Sequence, residues 1–199
     1  MARNVIFDLG GVVIEWNPER ILDGYYADPA LRAVMRRALF QHPDWLDLDR
    51  GTLSEVKLVA RVSERTGRPF DELERLLDAV RASLHTKVDT VALLDKLFTR
   101  GVPLYCISNM SATTFEHLRA RHSFWGVFRG IVISGDTQLM KPEPEIFELL
   151  LKRHELAPAD TIFVDDNEPN VQAARALGMH GVWFKSAAQC EAELETLLR

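Results

Sequence analysis

Five short runs rich in β-branched and aromatic residues constrain the fold more than any other feature of this chain. They fall at about residues 4–7, 102–107, 130–133, 161–164 and 181–184, and each has the length and composition of a strand. Helical periodicity fills residues 88–99, 113–121, 145–154 and 171–177 between them. Such alternation implies an α/β fold: a parallel sheet with right-handed crossovers and helices on both faces, three layers in all. The punctuation agrees. Gly101 and Gly178 stand where helices should end, and Pro144 and Pro169 fit helical first turns.

Residues 16–84 break the alternation, carrying helical periodicity without a convincing strand. Pro18 opens the first helix, Pro29 interrupts the next connection, Ser54 fits an N-cap, and Asp71 is expected to cap a helix over 72–83. The expectation is an insert of about four helices at 16–84, with 1–15 and 85–199 forming the sheet-bearing core. An insert placed just after the first strand lies over the carboxyl edge of the sheet and can act as a lid.

Composition removes several classes of function. A net charge of −5 opposes a large nucleic-acid footprint, which needs a basic stripe. No apolar stretch approaches bilayer length, and Met1 to Asn4 run straight into the first strand without room for a signal peptide, so the cytoplasm is the expected location. Cys106 and Cys190 form no spaced motif and read as inert core thiols. The six histidines show no pair at ligand spacing, which speaks against zinc.

Four polar elements stand at or just beyond predicted strand ends: Asp8, Ser108-Asn109, Lys141 and Asp165-Asp166. Taken singly, each has an ordinary structural explanation. Asp8 before Leu9-Gly10-Gly11 suits a turn, Ser108-Asn109 suits a helix cap, and Lys141 suits a solvated surface. The adjacent acids resist this treatment, since neighbouring carboxylates repel unless a cation or hydrogen bonds relieve them. In a parallel sheet, ends of one polarity share one edge, so the four converge. A phosphate ester would give each a task. Asp8 can attack phosphorus, and Asp8 with Asp166 can share a Mg²⁺. Ser108 and Asn109 offer a hydroxyl and amide N–H groups at a strand-to-helix turn. Lys141 can pair with Asp8 and with phosphoryl oxygens.

Phe7-Asp8-Leu9-Gly10-Gly11-Val12, Ile107-Ser108-Asn109, Met140-Lys141-Pro142 and Phe163-Val164-Asp165-Asp166-Asn167 together resemble, in order, the four motifs of the haloacid dehalogenase superfamily. The helical insert looks like the C1 cap of its first subfamily. The pairing of Asp-Leu-Gly with Asp-Asp-Asn is most similar to the branch that holds bacterial glucose 1-phosphate phosphatase and the phosphatase domain of soluble epoxide hydrolase. The resemblance implies a Rossmann-like core and a phosphatase that hydrolyses a small phosphorylated metabolite, possible substrates including a sugar phosphate such as glucose 1-phosphate. It implies Asp8 as nucleophile through a phospho-aspartyl intermediate, and Mg²⁺ held by Asp8, the carbonyl of Gly10 and Asp166. Ser108, Asn109 and Lys141 would bind phosphate, and Asp165 and Asn170 would support the site. No nucleic acid or membrane partner is expected, and the chain would be a monomer or homodimer.

Two departures stand out. Most phosphatases of the superfamily carry a second Asp two residues after the nucleophile as general acid, and here that residue is Gly10. Glu15, metal-bound water or the substrate itself are candidate substitutes. Asn170 stands where many members carry another Asp; it can hold a metal-bound water but brings no charge, a deficit Asp165 can offset by orienting a water or Lys141. Rival readings are a metal-free 2-haloacid dehalogenase and a non-catalytic phospholigand-binding protein. For specificity, Trp16, Arg20, Tyr25, Tyr26, Phe40, His42 and Trp45 are candidate pocket residues, with Arg20 the first for substrate contact.

Overall fold

The computed structural model describes residues 3–199. Its sheet contains five parallel strands, β1 (Asn4–Phe7), β2 (Leu104–Ser108), β3 (Phe128–Ile133), β4 (Thr161–Asp165) and β5 (His180–Trp183), in the order β3-β2-β1-β4-β5. The first strand is therefore central. Val5 lies opposite Leu104 on one side and Ile162 on the other. The order reverses at β1, and a doubly wound sheet opens its binding crevice at such a reversal.

Strand periodicity sends alternate residues to opposite faces. Val5 and Phe7 join Leu104, Cys106, Ile162, Val164 and Val182 in one buried cluster. Ile6, Tyr105, Ile107, Val132 and Phe163 join another. The first cluster is closed by α6 (Val88–Thr99), α7 (Ala112–Arg121) and α11 (Ala187–Leu197), and the second by α9 (Pro144–Arg153) and α10 (Glu168–Ala176). This is the expected three-layer Rossmann-like arrangement. A one-turn helix, α8 (Ser134–Thr137), follows β3. Gly101 and Gly178 end their helices at φ +77° and +88°, and Pro144 and Pro169 fall in first turns.

Between β1 and α6 lie α1 (Pro18–Tyr25), α2 (Pro29–Met35), a π-helical turn at Arg36–Phe40, α3 (Pro43–Arg50), α4 (Glu55–Thr66) and α5 (Phe70–Ser83). That is five helices where the periodicity suggested about four. They bury a cluster of their own, with Leu22, Met35, Leu58 and Leu76 at its centre. Ser54 caps α4 through its hydroxyl, which accepts from the Lys57 N–H. Asp71 does not cap α5: the helix starts one residue earlier, at Phe70, and Asp71 pairs with Arg75 one turn on. The final helix α11 is absent from the sequence-based expectation, although Ser186 and Gln189 form a complete capping box at its start. Among the described residues, no helix is long and apolar enough to cross a membrane.

Candidate active site

The chain leaves β1 through a turn in which Asp8 still donates its N–H to the Val164 carbonyl at 2.9 Å. The Leu9 carbonyl accepts from Val13 and Ile14, and Gly11 takes φ +74°. A Cβ on Gly11 would stand 2.0 Å from an Asp166 oxygen, so this glycine lets the β1 and β4 loops touch. The same hydrogen bonds leave the carbonyl of Gly10 without a backbone partner among the described residues. The turn also relies on Lys87, whose ammonium donates to the Gly11 carbonyl at 2.7 Å. No feature of the sequence singled out that residue.

Asp8 and Lys141 are both buried beneath this turn, 2.7 Å apart. Asp8 Oδ1 accepts from the Leu9 N–H and from Lys141 Nζ, which leaves Oδ2 with no hydrogen bond among the described residues. Lys141 Nζ also donates to Asp165 Oδ2 at 2.6 Å, and an ammonium has one donor beyond these two. Burial raises the Asp8 pKa well above the ordinary carboxylate range; Lys141 pulls it back, and Asp165 and Asp166 add to the rise. For Lys141 burial opposes the charge, but Asp165 and Asp8 outweigh it and hold its pKa above the usual lysine range.

The two neighbouring acids divide their work. Asp165 is fully buried and fully engaged, accepting from Lys141, from the Asn167 N–H at 2.8 Å and from Asn170 Nδ2 at 3.1 Å. Its partner is therefore Lys141 rather than a water. Asp166 is exposed at the cavity mouth, and its carboxylate has no hydrogen bond or ion pair among the described residues. Partial withdrawal of its carboxyl from water and the adjacent Asp165 raise its pKa, against the pull of Lys141 and Lys87.

A hard cation fits this donor set. Asp8, Asp165 and Asp166 oxygens lie within 4.8 Å of one another, and the Gly10 carbonyl beside them is unused. Asn170 turns its amide N–H toward Asp165, so its Oδ1, buried and unpartnered, is an open acceptor on the same cavity, where a hydrated cation has O–H donors to offer.

Ser108 and Asn109 end β2 beside Asp8. The Asn109 side chain is turned to the Lys141 backbone: Nδ2 donates to the Lys141 carbonyl and Oδ1 accepts the Lys141 N–H, each at 2.8 Å. Its amide locks one loop to the next, and what it has left is its backbone N–H, which has no partner among the turn's hydrogen bonds.

Asp8, Gly10, Ser108, Asn109, Lys141, Asp166 and Asn170 line one cavity of about 260 Å³. The rest of its wall is largely apolar: Ile14, Trp16, Trp45, Leu46, Val80, Leu84, Met110 and Met140. Trp16 and Trp45 stack with ring centroids 5.6 Å apart. Arg20 and Glu15 are not in this cavity. They pair with each other at 3.5 Å and line a separate pocket with Asn17, Tyr25 and His85. Tyr25, Tyr26 and Phe40 pack into the cluster of the helical insert, and His42 faces Asp44 and Arg65. Of the seven candidate pocket residues, only Trp16 and Trp45 reach the cavity. A residue that periodicity did not distinguish reaches it too: Asp49 of α3.

Comparison with known proteins places these observations in a wider set. The sequence model of the haloacid dehalogenase-like hydrolases matches residues 2–178. The sesquiterpene phosphatase astK of Aspergillus oryzae is 31% identical, the match covering 98% of this chain and 96% of that one. The D-ribitol-5-phosphate phosphatase of Bacteroides thetaiotaomicron is 23% identical over 100% and 99% of the two chains. Among solved structures, a variant of an HAD family enzyme from Bacteroides thetaiotaomicron, in complex with magnesium and inorganic phosphate, superposes with a TM-score of 0.76 at 21% identity, covering 93% and 95% of the chains.

Proposed function

Because the chain belongs to the haloacid dehalogenase-like hydrolases, we propose that it is a Mg²⁺-dependent phosphatase whose nucleophile is Asp8. The observation that carries this reading is the buried Asp8–Lys141–Asp165 chain, which occupies Asp8 Oδ1 and leaves Oδ2 without a hydrogen bond among the described residues, in the cavity that Asp166, Ser108 and Asn109 also line. Asp8, the Gly10 carbonyl and Asp166 would hold the cation, which offsets the repulsion between a carboxylate and a phosphate dianion.

Each protein group then has a step. The Ser108 hydroxyl and the Asn109 N–H receive phosphoryl oxygens, and the remaining donor of Lys141 faces them. Asp8 Oδ2 attacks phosphorus, the ester oxygen leaves, and the acyl phosphate formed on Asp8 is hydrolysed in a second displacement. Asp165 and Asn170 keep Lys141 charged and aimed. The helices of residues 16–84 serve as a cap whose inner face selects the organic part of the ester. That face is carbon-rich, which favours an apolar organic group over a sugar phosphate such as glucose 1-phosphate, and the similarity to a sesquiterpene phosphatase of Aspergillus oryzae is in keeping with this. A 2-haloacid dehalogenase reading is disfavoured, since Asp166 without a cation would repel a carboxylate substrate.

The test is a panel of p-nitrophenyl phosphate, a prenyl monophosphate and glucose 1-phosphate, assayed with and without Mg²⁺. Hydrolysis that needs Mg²⁺ and is lost in Asp8→Asn, with kcat/KM highest for the prenyl ester, is the expected result. Hydrolysis by Asp8→Asn at the wild-type rate would remove Asp8 from the mechanism.

A further inference from the structure

The missing acid at Gly10 raises a question that the cap answers. We infer that Asp49 is the general acid and base of this enzyme, standing across the cavity from Asp8 in place of a carboxyl two residues beyond the nucleophile. The inference rests on the phosphatase reading above.

Three observations support it. First, Asp49 lines the same cavity as Asp8, Lys141 and Asp166, and among the described residues it is the only ionisable side chain that residues 16–84 contribute there. Second, it is held in place. The Asp49 carbonyl accepts from Ser134 Oγ at 2.5 Å, Arg50 pairs with Glu143 and donates to the Gln138 carbonyl, and Gly51 packs so tightly that a Cβ would lie 2.4 Å from the Gly135 carbonyl. The carboxyl-terminal turn of α3 is thus fastened to the loops after β3, and a proton donor needs a fixed position more than it needs reach. Third, its surroundings keep it protonated. Burial pushes the Asp49 pKa up to about 8, only partly offset by the Ser111 backbone N–H and the Trp45 side chain. Of the charged groups that line the same cavity, Asp8 and Lys141 pair with each other and the Asp166 carboxylate has no hydrogen bond among the described residues, while Arg50, next to Asp49 in the chain, pairs with Glu143.

The proton and electron balance closes over two steps. In the first, Asp8 Oδ2 forms a bond to phosphorus, the bond from phosphorus to the ester oxygen breaks, and that oxygen takes both electrons and the Asp49 proton to leave as the alcohol. In the second, Asp49 carboxylate takes a proton from water as the water oxygen bonds to phosphorus and the bond to Asp8 breaks. Phosphate leaves, and Asp8 carboxylate and protonated Asp49 are restored.

Steric room is not the reason position 10 lacks an acid. A Cβ on Gly10 would find its nearest neighbour, Trp16 Cβ, at 4.0 Å, and Gly10 has no positive φ. This supplies the rescue variant. Asp49→Asn, close in shape to the protonated acid, should lower kcat on an alkyl phosphate by roughly 10² to 10⁴, the usual worth of general acid catalysis. On p-nitrophenyl phosphate, whose leaving group needs no proton, the first turnover should be slowed less than about tenfold, so that p-nitrophenol appears as a burst ahead of the slowed hydrolysis of the acyl phosphate, for which Asp49 is the base. Asp49→Asn combined with Gly10→Asp should recover alkyl phosphate turnover. A first turnover slowed equally on both esters, with no recovery in the double variant, would assign Asp49 a packing role, and undiminished turnover of both would remove it from catalysis; either result overturns the inference while leaving the phosphatase reading intact. If the wild-type protein hydrolyses neither ester with Mg²⁺, the phosphatase reading falls and this inference with it.

Discussion

The sheet edge and the helical wall that faces it treat charge in opposite ways. On the edge, Asp8, Lys141, Asp165 and Asn170 are almost completely buried, and each is tied to the next by a hydrogen bond or ion pair. On the wall, Trp16, Trp45, Leu46, Val80 and Leu84 present carbon, and Asp49 is the solitary carboxyl. A buried charge survives only when others compensate it, so the edge is a coupled network in which a change at one member is felt by the others. The carbon residues of the wall carry no charge to compensate and can vary more freely. The edge thus suits an invariant reaction at phosphorus, and the wall suits the choice of what is attached to it.

This contrast is most easily broken at the edge. Asp8→Asn is expected to lower kcat by about 10⁴-fold or more, as removal of a covalent nucleophile does, with an unchanged circular dichroism spectrum as the check. Chelation by EDTA should reduce activity by roughly 10³-fold, the scale of several kcal/mol of Lewis-acid stabilisation, and added Mg²⁺ should restore it. Release of halide from a 2-haloacid that survives EDTA would instead select the dehalogenase reading. Lys141→Met strands Asp8 and Asp165 together in the interior, and should cost about 3–5 kcal/mol in urea unfolding.

Changes on the wall should be smaller and selective. Trp45→Ala is expected to raise KM for an apolar ester by about tenfold, within the usual worth of a lost apolar contact, with little change for p-nitrophenyl phosphate. The last test concerns pH. The folded-state pKa of Asp49, about 8, lies above its ordinary value of 3.8, so folding favours the protonated form. Ionisation therefore costs stability progressively as pH rises from about 4, and the cost is complete above about 8. Asp49→Asn escapes it. The Tm of that variant relative to wild type should be level below pH 4, climb through the interval and level again; a difference independent of pH would mean that Asp49 is not held neutral.

The edge was legible in the sequence because its chemistry sits where secondary structure stops. Asp8, Ser108 and Asp165 each close an apolar run, Lys141 lies in the loop beyond β3 and α8, and a parallel sheet brings such ends together whatever their spacing. Side-chain direction was less legible. Asn109 looked like a phosphate ligand, yet its amide satisfies the Lys141 backbone, a partner 32 residues away that no local pattern reveals. On the wall, Asp44, Asp47 and Asp49 lie on one short helix. Asp44 is claimed by Arg61 and Arg65, while Asp49 reaches the cavity, and this difference depends on tertiary packing alone. Glu15 and Arg20 flank Trp16 in sequence, yet Trp16 lines the cavity while those two pair with each other in the neighbouring pocket, a division that no local pattern reveals. Helix α11 is a different omission, because Ser186 and Gln189 announce it with local chemistry.

The paired hydrogen bonds between Asn109 and Lys141 make two loops from distant parts of the chain behave as a single mechanical piece. In the proposed reaction, the loop that would receive the phosphate and the loop that holds an ammonium against Asp8 are thus one unit, joined through two bonds of 2.8 Å.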